Sequence, residues 1–138
     1  MGFAFSVSIL PVIVAAIVSF MAGWFWYSSV LFGGVWAREM KRSKAGASKN
    51  NSMVVSMIVG LIAQIVMAWM LAFLVSLSGA IGVLGGISMG FWVWLGFVAT
   101  ITLGSVLWEG KSITLFLINA THWLVALLIQ GAIIGYWM

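Results

Sequence analysis

The sequence predicts an all-α, polytopic membrane protein built as a four-helix bundle, and three observations carry that prediction. Of its 138 residues 64% are hydrophobic and only 6% charged, against about a quarter charged in an average soluble domain. The apolar residues fall into four stretches, about 3–27, 53–77, 87–108 and 112–137, each long enough to cross about 30 Å of hydrocarbon as a helix. Five of the six cations, Arg38, Lys41, Arg42, Lys44 and Lys49, lie within one short segment, as the positive-inside rule requires of a cytoplasmic loop. The chain therefore reads as a single transmembrane domain over 1–138 with a basic cytoplasmic loop at 38–52. Its pI near 10 reports topology rather than nucleic-acid binding, the other reading of the cluster being contact with anionic lipid or an acidic partner.

The first span carries no charge, and it reads as retained because no basic n-region or cleavage site marks a signal peptide. Pro11 removes a backbone donor and presses its ring on the carbonyl of Val7, which predicts a kink. Ala15, Ser19 and Gly23 recur every four residues as a slanted seam of small side chains, suited to close helix contact. Trp24, Trp26 and Tyr27 cluster at the end next to the basic loop, where amphipathic rings favour the headgroup layer.

From Ser28 to Arg42, apolar Val30, Leu31, Phe32, Val35, Trp36 and Met40 alternate with polar Arg38, Glu39, Lys41 and Arg42. This pattern predicts a short helix lying in the interface, started or interrupted at Gly33-Gly34. Residues 43–52 form the only hydrophilic linker, with Asn50, Asn51 or Ser52 available to cap the second span. In that span Ser56, Gly60, Ala68, Ala72 and Ser76 repeat at four-residue steps with Gln64 in the same row. Only its middle, Gly60, Gln64 and Ala68, can meet one neighbour, because a step of four drifts around the helix.

The segment from Ser78 to Gly90 is rich in glycine and reads as a turn between spans. Its resemblance to a nucleotide loop is superficial, since no strand precedes it and no lysine follows. The third span has Gly96, Thr100 and Gly104 as its small-residue row. Glu109-Gly110-Lys111 makes a tight inner turn, and the fourth span returns to Tyr136-Trp137. Both termini are then outside, and the membrane is a bacterial cytoplasmic one, because outer-membrane barrels show short segments of alternating polarity instead.

An echo links Ser29-Val30-Leu31-Phe32-Gly33-Gly34 to Ser105-Val106-Leu107-Trp108-Glu109-Gly110. It suggests two parallel helical hairpins, with chance convergence of interface sequences as the alternative. Further residues carry a family likeness: Trp26-Tyr27, Leu31-Phe32-Gly33 and Trp36, then Gly96-Phe97-Val98-Ala99-Thr100, then Leu107-Trp108-Glu109-Gly110-Lys111 with Leu115 to Ala120. In this order they resemble the small bacterial membrane proteins of domain-of-unknown-function family 1761, over nearly the whole chain. The resemblance implies four spans and transfers no activity. Ser29 stands where the family usually has Pro, and lysine is missing near Gly34, so the inner end of the first span is expected to differ in shape.

Few residues could carry chemistry. The chain has no Cys, no Asp and one His, and its two Glu both fall near the inner surface, so no triad, paired carboxylates or metal cluster assembles at the midplane of one chain. His122, about ten residues into the fourth span, should lie near the midplane, on one face with Asn119, Ala126 and Gln130. Buried imidazole there is costly unless used. Three uses are open: interhelical hydrogen bonding to Gln64, Thr100 or Asn119; proton relay or transport; or ligation of haem or a chlorophyll-type pigment, with a symmetric dimer supplying any second histidine. Gln64, Thr100, Asn119, His122 and Gln130 are thus expected to form one polar layer, and Glu109 to pair with Arg38 or Arg42 across the inner face.

These expectations describe an accessory or interaction subunit acting through helix packing in a homo-oligomer or a larger membrane complex, with the lipid bilayer as its solvent. The alternatives are a small transporter or channel with its path at an oligomer interface, and cofactor ligation through His122. Enzymatic chemistry is not expected.

Overall fold

A computed structural model describes residues 7–43 and 53–137, the side chains of 41–43 excepted. Four of its helices are long and apolar enough to cross a membrane. The first, α1, runs from Ile9 to Trp26. Pro11 falls in its first turn, where backbone amides have no intrahelical acceptor, so the ring costs no helical hydrogen bond and the expected kink has no cause. The chain then turns tightly through 27–32. Gly33 packs against the carbonyl oxygens of Tyr27 and Ser28, leaving no room for a side chain, and α2 runs from there to Ser43.

Helix α2 starts at the glycine pair, one of the two readings of that pair, and it bears Arg38, Glu39, Lys41 and Arg42. Glu39, expected on the polar face, is buried instead. Lys44, Lys49 and the capping candidates Asn50, Asn51 and Ser52 lie outside the described residues. Helix α3 spans Met53 to Ser78, close to the expected bounds.

The largest difference lies in the glycine-rich segment. The connection after α3 is short, with Gly79 at φ 74° and Gly82 at φ 75° making the turn that other residues resist. Helix α4 then starts at Gly82 and runs to Val93, so most of the expected loop is membrane-spanning helix. A six-residue π-helical stretch, Trp94 to Ala99, follows, and α5 completes the third span from Thr100 to Leu107. Gly110, at φ 70°, reverses the chain, with the amide of Lys111 donating to the carbonyl of Ser105 at 3.1 Å. Helix α6 then runs from Ile113 to Trp137.

Glycine weakens a helix by about 1 kcal/mol relative to alanine, which is why this segment reads as a loop in isolation. The packing of α4 on α6 supplies the compensation. Gly82 lies against Gly135, Gly86 against Gly131, and Gly90 against the carbonyl of Leu127. Each step of four up α4 meets a step of four down α6, so two antiparallel backbones touch along three consecutive turns. At that separation dispersion and Cα–H···O contacts replace side-chain packing.

Helix α6 is the centre of the bundle, packed against α1, α3, α4 and α5 and reached by α2. The core between α1, α3 and α6 is made of small and branched residues: Val12, Ala15, Ala16, Ala68, Leu71, Ala72, Val75, Leu127 and Ile134. The expected seam of Ala15, Ser19 and Gly23 is buried along its length, whereas Ser56 and Ser76 at the ends of the α3 row are exposed. The two copies of the sequence echo differ locally. Ser29 to Phe32 form a turn leading into α2, while Ser105 to Leu107 end α5.

Candidate functional site

Polar side chains inside the bundle fall into two groups at different heights. The first joins three spans: Gln64 of α3 and Gln130 of α6 meet Ser19 of α1. Gln130 Nε2 donates to Gln64 Oε1 at 2.8 Å and to Ser19 Oγ at 2.9 Å, and Ser19 Oγ lies 2.9 Å from Gln64 Oε1 and 3.1 Å from the carbonyl of Ala16. Ser19 and Gln130 are fully buried and Gln64 is 5% exposed. Only small neighbours, Ala15, Ala16, Ala68 and Ala126, let three helix backbones close around these amides.

The second group gathers at the α2 end. Tyr27 Oη donates to Asn119 Oδ1 at 2.6 Å, and the Trp26 indole donates to the carbonyl of Ile118 at 3.2 Å. On the other side of α6, the Trp94 indole at the start of the π-helical stretch donates to the carbonyl of Ala120 at 2.8 Å. Two indoles thus grip α6 on carbonyls two residues apart, just before His122. Trp26, expected only as an interface anchor, is thus also an interhelical donor.

His122 is 7% exposed, with the Tyr27 ring 5.1 Å and the Trp123 ring 4.7 Å from its own, centroid to centroid. Neither ring nitrogen has a hydrogen-bond partner among the described residues. It lies eight residues along α6 from Gln130, about 12 Å at 1.5 Å per residue, and beside Gly23, one turn from the end of α1. The single polar layer expected from the sequence is therefore two layers, because α6 crosses α1 with its polar face spread over two turns and more. Thr100 belongs to neither: it is exposed, and its hydroxyl donates to the carbonyl of Gly96 on its own helix at 2.8 Å. Glu109 sits 3.7 Å from Lys111 across the exposed turn, rather than on Arg38; the Arg42 side chain lies outside the described residues. Ser19, the hub of the first group, was legible only as a small residue.

A cofactor on His122 meets a steric obstacle. A Cβ built on Gly23 would lie 2.6 Å from His122 Nε2 and 3.5 Å from each flanking ring carbon, which puts it on the axis of that nitrogen's lone pair or hydrogen. A metal at about 2.1 Å from Nε2 would fall on nearly the same point, against the Gly23 backbone. The imidazole as placed does not fit an axial ligand through Nε2.

Between α1, α3 and α6, on the lipid-facing side, a cleft of about 440 Å³ runs from Gln64 to Tyr27. Its walls are Phe20, Trp24, Trp123, Met57 and His122, and its floor is Gly23, Gly60 and Ala63. A second, smaller groove of about 310 Å³, lined by Val7, Val12, Ile65 and Trp69 among others, has no polar side chain except the indole.

No curated protein and no solved structure matches the chain. One family does, over residues 10–135, and it is described as a protein of unknown function, DUF1761. That match covers all four spans, α2 and both groups of polar side chains, and the chain belongs to the DUF1761 family.

Proposed function

We propose that the protein is a membrane-embedded interaction subunit, whose bundle is a scaffold and whose third span carries the docking face for a second copy of the chain. The observation that carries this reading is the unequal use of the glycines on that span. Gly82, Gly86 and Gly90 are filled by α6, whereas a Cβ on Gly96 would meet nothing within 4 Å, and one on Gly104 only the Trp108 ring of its own chain segment at 3.7 Å. Only 6% of the third span's most apolar window is buried, against 28 to 39% for the other three.

A helical glycine facing lipid costs about 1 kcal/mol of helix propensity and gains no contact inside the chain. A second helix approaching at backbone distance would recover it. A twofold axis along the membrane normal brings Gly96, Thr100 and Gly104 against the same three residues of the other copy, so the face is self-complementary. Thr100 is already satisfied by Gly96, and the approach leaves no hydroxyl stranded. The flanking Phe97 and Ile101, both exposed, would pack around the crossing.

The protein is read as lying in a bacterial cytoplasmic membrane with α2 on the cytoplasmic side. The cations of α2 and Lys111 support this, since α2 packs on α6 near the turn that holds Lys111. The absence of cysteine lets single introduced cysteines report both orientation and contact. Subunit counting by photobleaching in lipid vesicles tests the dimer: the wild type should bleach in two steps, and Gly96→Leu with Gly104→Leu in one, with unchanged helicity. A wild type that bleaches in one step at every protein-to-lipid ratio overturns it. A transport path past Gln64 and His122 has less support, because Ser19 and Gln130 both hold Gln64 Oε1 and Gly23 closes on the imidazole.

A further inference from the structure

We propose that the cleft between α1, α3 and α6 is a binding site for a membrane-dissolved molecule that joins a carbonyl acceptor to an apolar body. The polar half of the site is Gln64. Its Oε1 is held by Ser19 and Gln130, which turns the carboxamide so that Nε2 is left over. That nitrogen has no hydrogen-bond partner among the described residues, although the residue is 95% buried, and Gln64 lines the cleft. An amide donor at membrane depth without an acceptor loses the free energy of its missing bond. An acyl chain's methylenes supply no acceptor there, whereas a ketone, quinone or ester carbonyl does.

The apolar half lies in the shape. A volume of about 440 Å³ is within the usual range for small-molecule sites, about 300 to 1,000 Å³. Aromatic rings of Phe20, Trp24 and Trp123 stand around it, and Gly60 leaves its floor open, since a Cβ there would meet only the Phe20 ring, at 3.6 Å. The rings that line it can stack on a planar guest or pack against an acyl chain. The second groove, between Val12, Ile65 and Trp69, offers no leftover amide and supplies an internal control. The site is complete within one chain, so it stands or falls independently of the dimer.

Two molecules carry this chemistry in a membrane, a quinone-type ring and the ester carbonyls of phospholipid. The test uses wild-type protein in nanodiscs of diester or of diether phospholipid with matched chains, titrated with a short-chain 1,4-benzoquinone and followed by tryptophan quenching. Saturable quenching in diether discs identifies a ring guest. Diester lipid retained on the protein in native mass spectrometry, where diether lipid is released, identifies a lipid guest. Either result supports the site if Ala63→Trp, which fills the cleft from an exposed position, abolishes it. Gln64→Leu should weaken it about tenfold, the upper end for one lost neutral hydrogen bond. Val66→Trp, placed in the other groove, should leave it unchanged. Absence of both signals, or signals that Ala63→Trp leaves intact, overturns the proposal.

Discussion

Two rows of glycine lie on the same span, and they have opposite fates. Gly82, Gly86 and Gly90 press against the backbone of α6, while Gly96 and Gly104 face outward beyond the π-helical stretch. Both rows are four-residue repeats in apolar sequence, and neither contains a residue that names its partner. What separates them is the facing helix. Gly131 and Gly135 repeat the same step on α6, and nothing comparable stands opposite Gly96. A small-residue row thus becomes an interface only when a second row of matching register lies across from it.

The change between rows occurs at Trp94. Its indole cannot enter the glycine seam, so the helices part there, and the side chain instead reaches the carbonyl of Ala120. The π-helical stretch begins at that residue and accommodates the parting by opening the hydrogen-bond spacing for one turn.

Substitutions in the closed row should have the largest effect. Gly86→Val or Gly131→Val would drive a side chain into facing backbone, which cannot yield by changing rotamer. The cost should be at least about 3 kcal/mol, the upper part of the range for overpacked sites, read as lost resistance to unfolding by sodium dodecyl sulfate. A change below 1 kcal/mol would mean that the two backbones are not in contact.

Next come the buried amides. Gln130→Leu should destabilise by about 1 kcal/mol, because it removes two hydrogen bonds, to Gln64 Oε1 and to Ser19 Oγ, which stay bonded to each other, and single interhelical hydrogen bonds in membranes average about 0.6 kcal/mol. Ser19→Ala and Tyr27→Phe should each fall near that average, and a double-mutant cycle of Tyr27→Phe with Asn119→Ala should show coupling that Tyr27→Phe with Gln130→Leu does not. The open row should show the smallest effect on stability. With the copies diluted apart in detergent, Gly96→Ala should leave the bundle's own stability unchanged or raise it by up to about 1 kcal/mol from helix propensity, and a loss there would place a contact within the chain at that face.

The spans were legible because each is long and uninterrupted by charge. Their packing was legible where the row and its burial coincide, as for Ala15, Ser19 and Gly23 or for Gln64 and Ala68. The glycine-rich segment was misread because propensity is a local quantity and its compensation is held by residues some fifty positions away. Thr100 was misplaced for a related reason: a hydroxyl at membrane depth need not seek another helix when its own carbonyl four residues back can accept it. Gln64 and Gln130 were expected to share a layer and do, but Asn119 and His122 were placed in it too, because counting residues from each span's end does not show which part of α6 reaches Gln64. The tyrosine on Asn119 and the indoles on Ile118 and Ala120 escaped because rings near a span end are explained well enough by the headgroup layer alone.

Helix α6 is translated after every helix it holds. Until it enters the bilayer, the notch in α4 has no occupant, Gln64 and Ser19 lack their third companion, and the indoles of Trp26 and Trp94 have no carbonyls to grip. The last span made is therefore the one that locks the others: α1 and α3 already meet through Ser19 and Gln64, and α6 ties both of them to the third span.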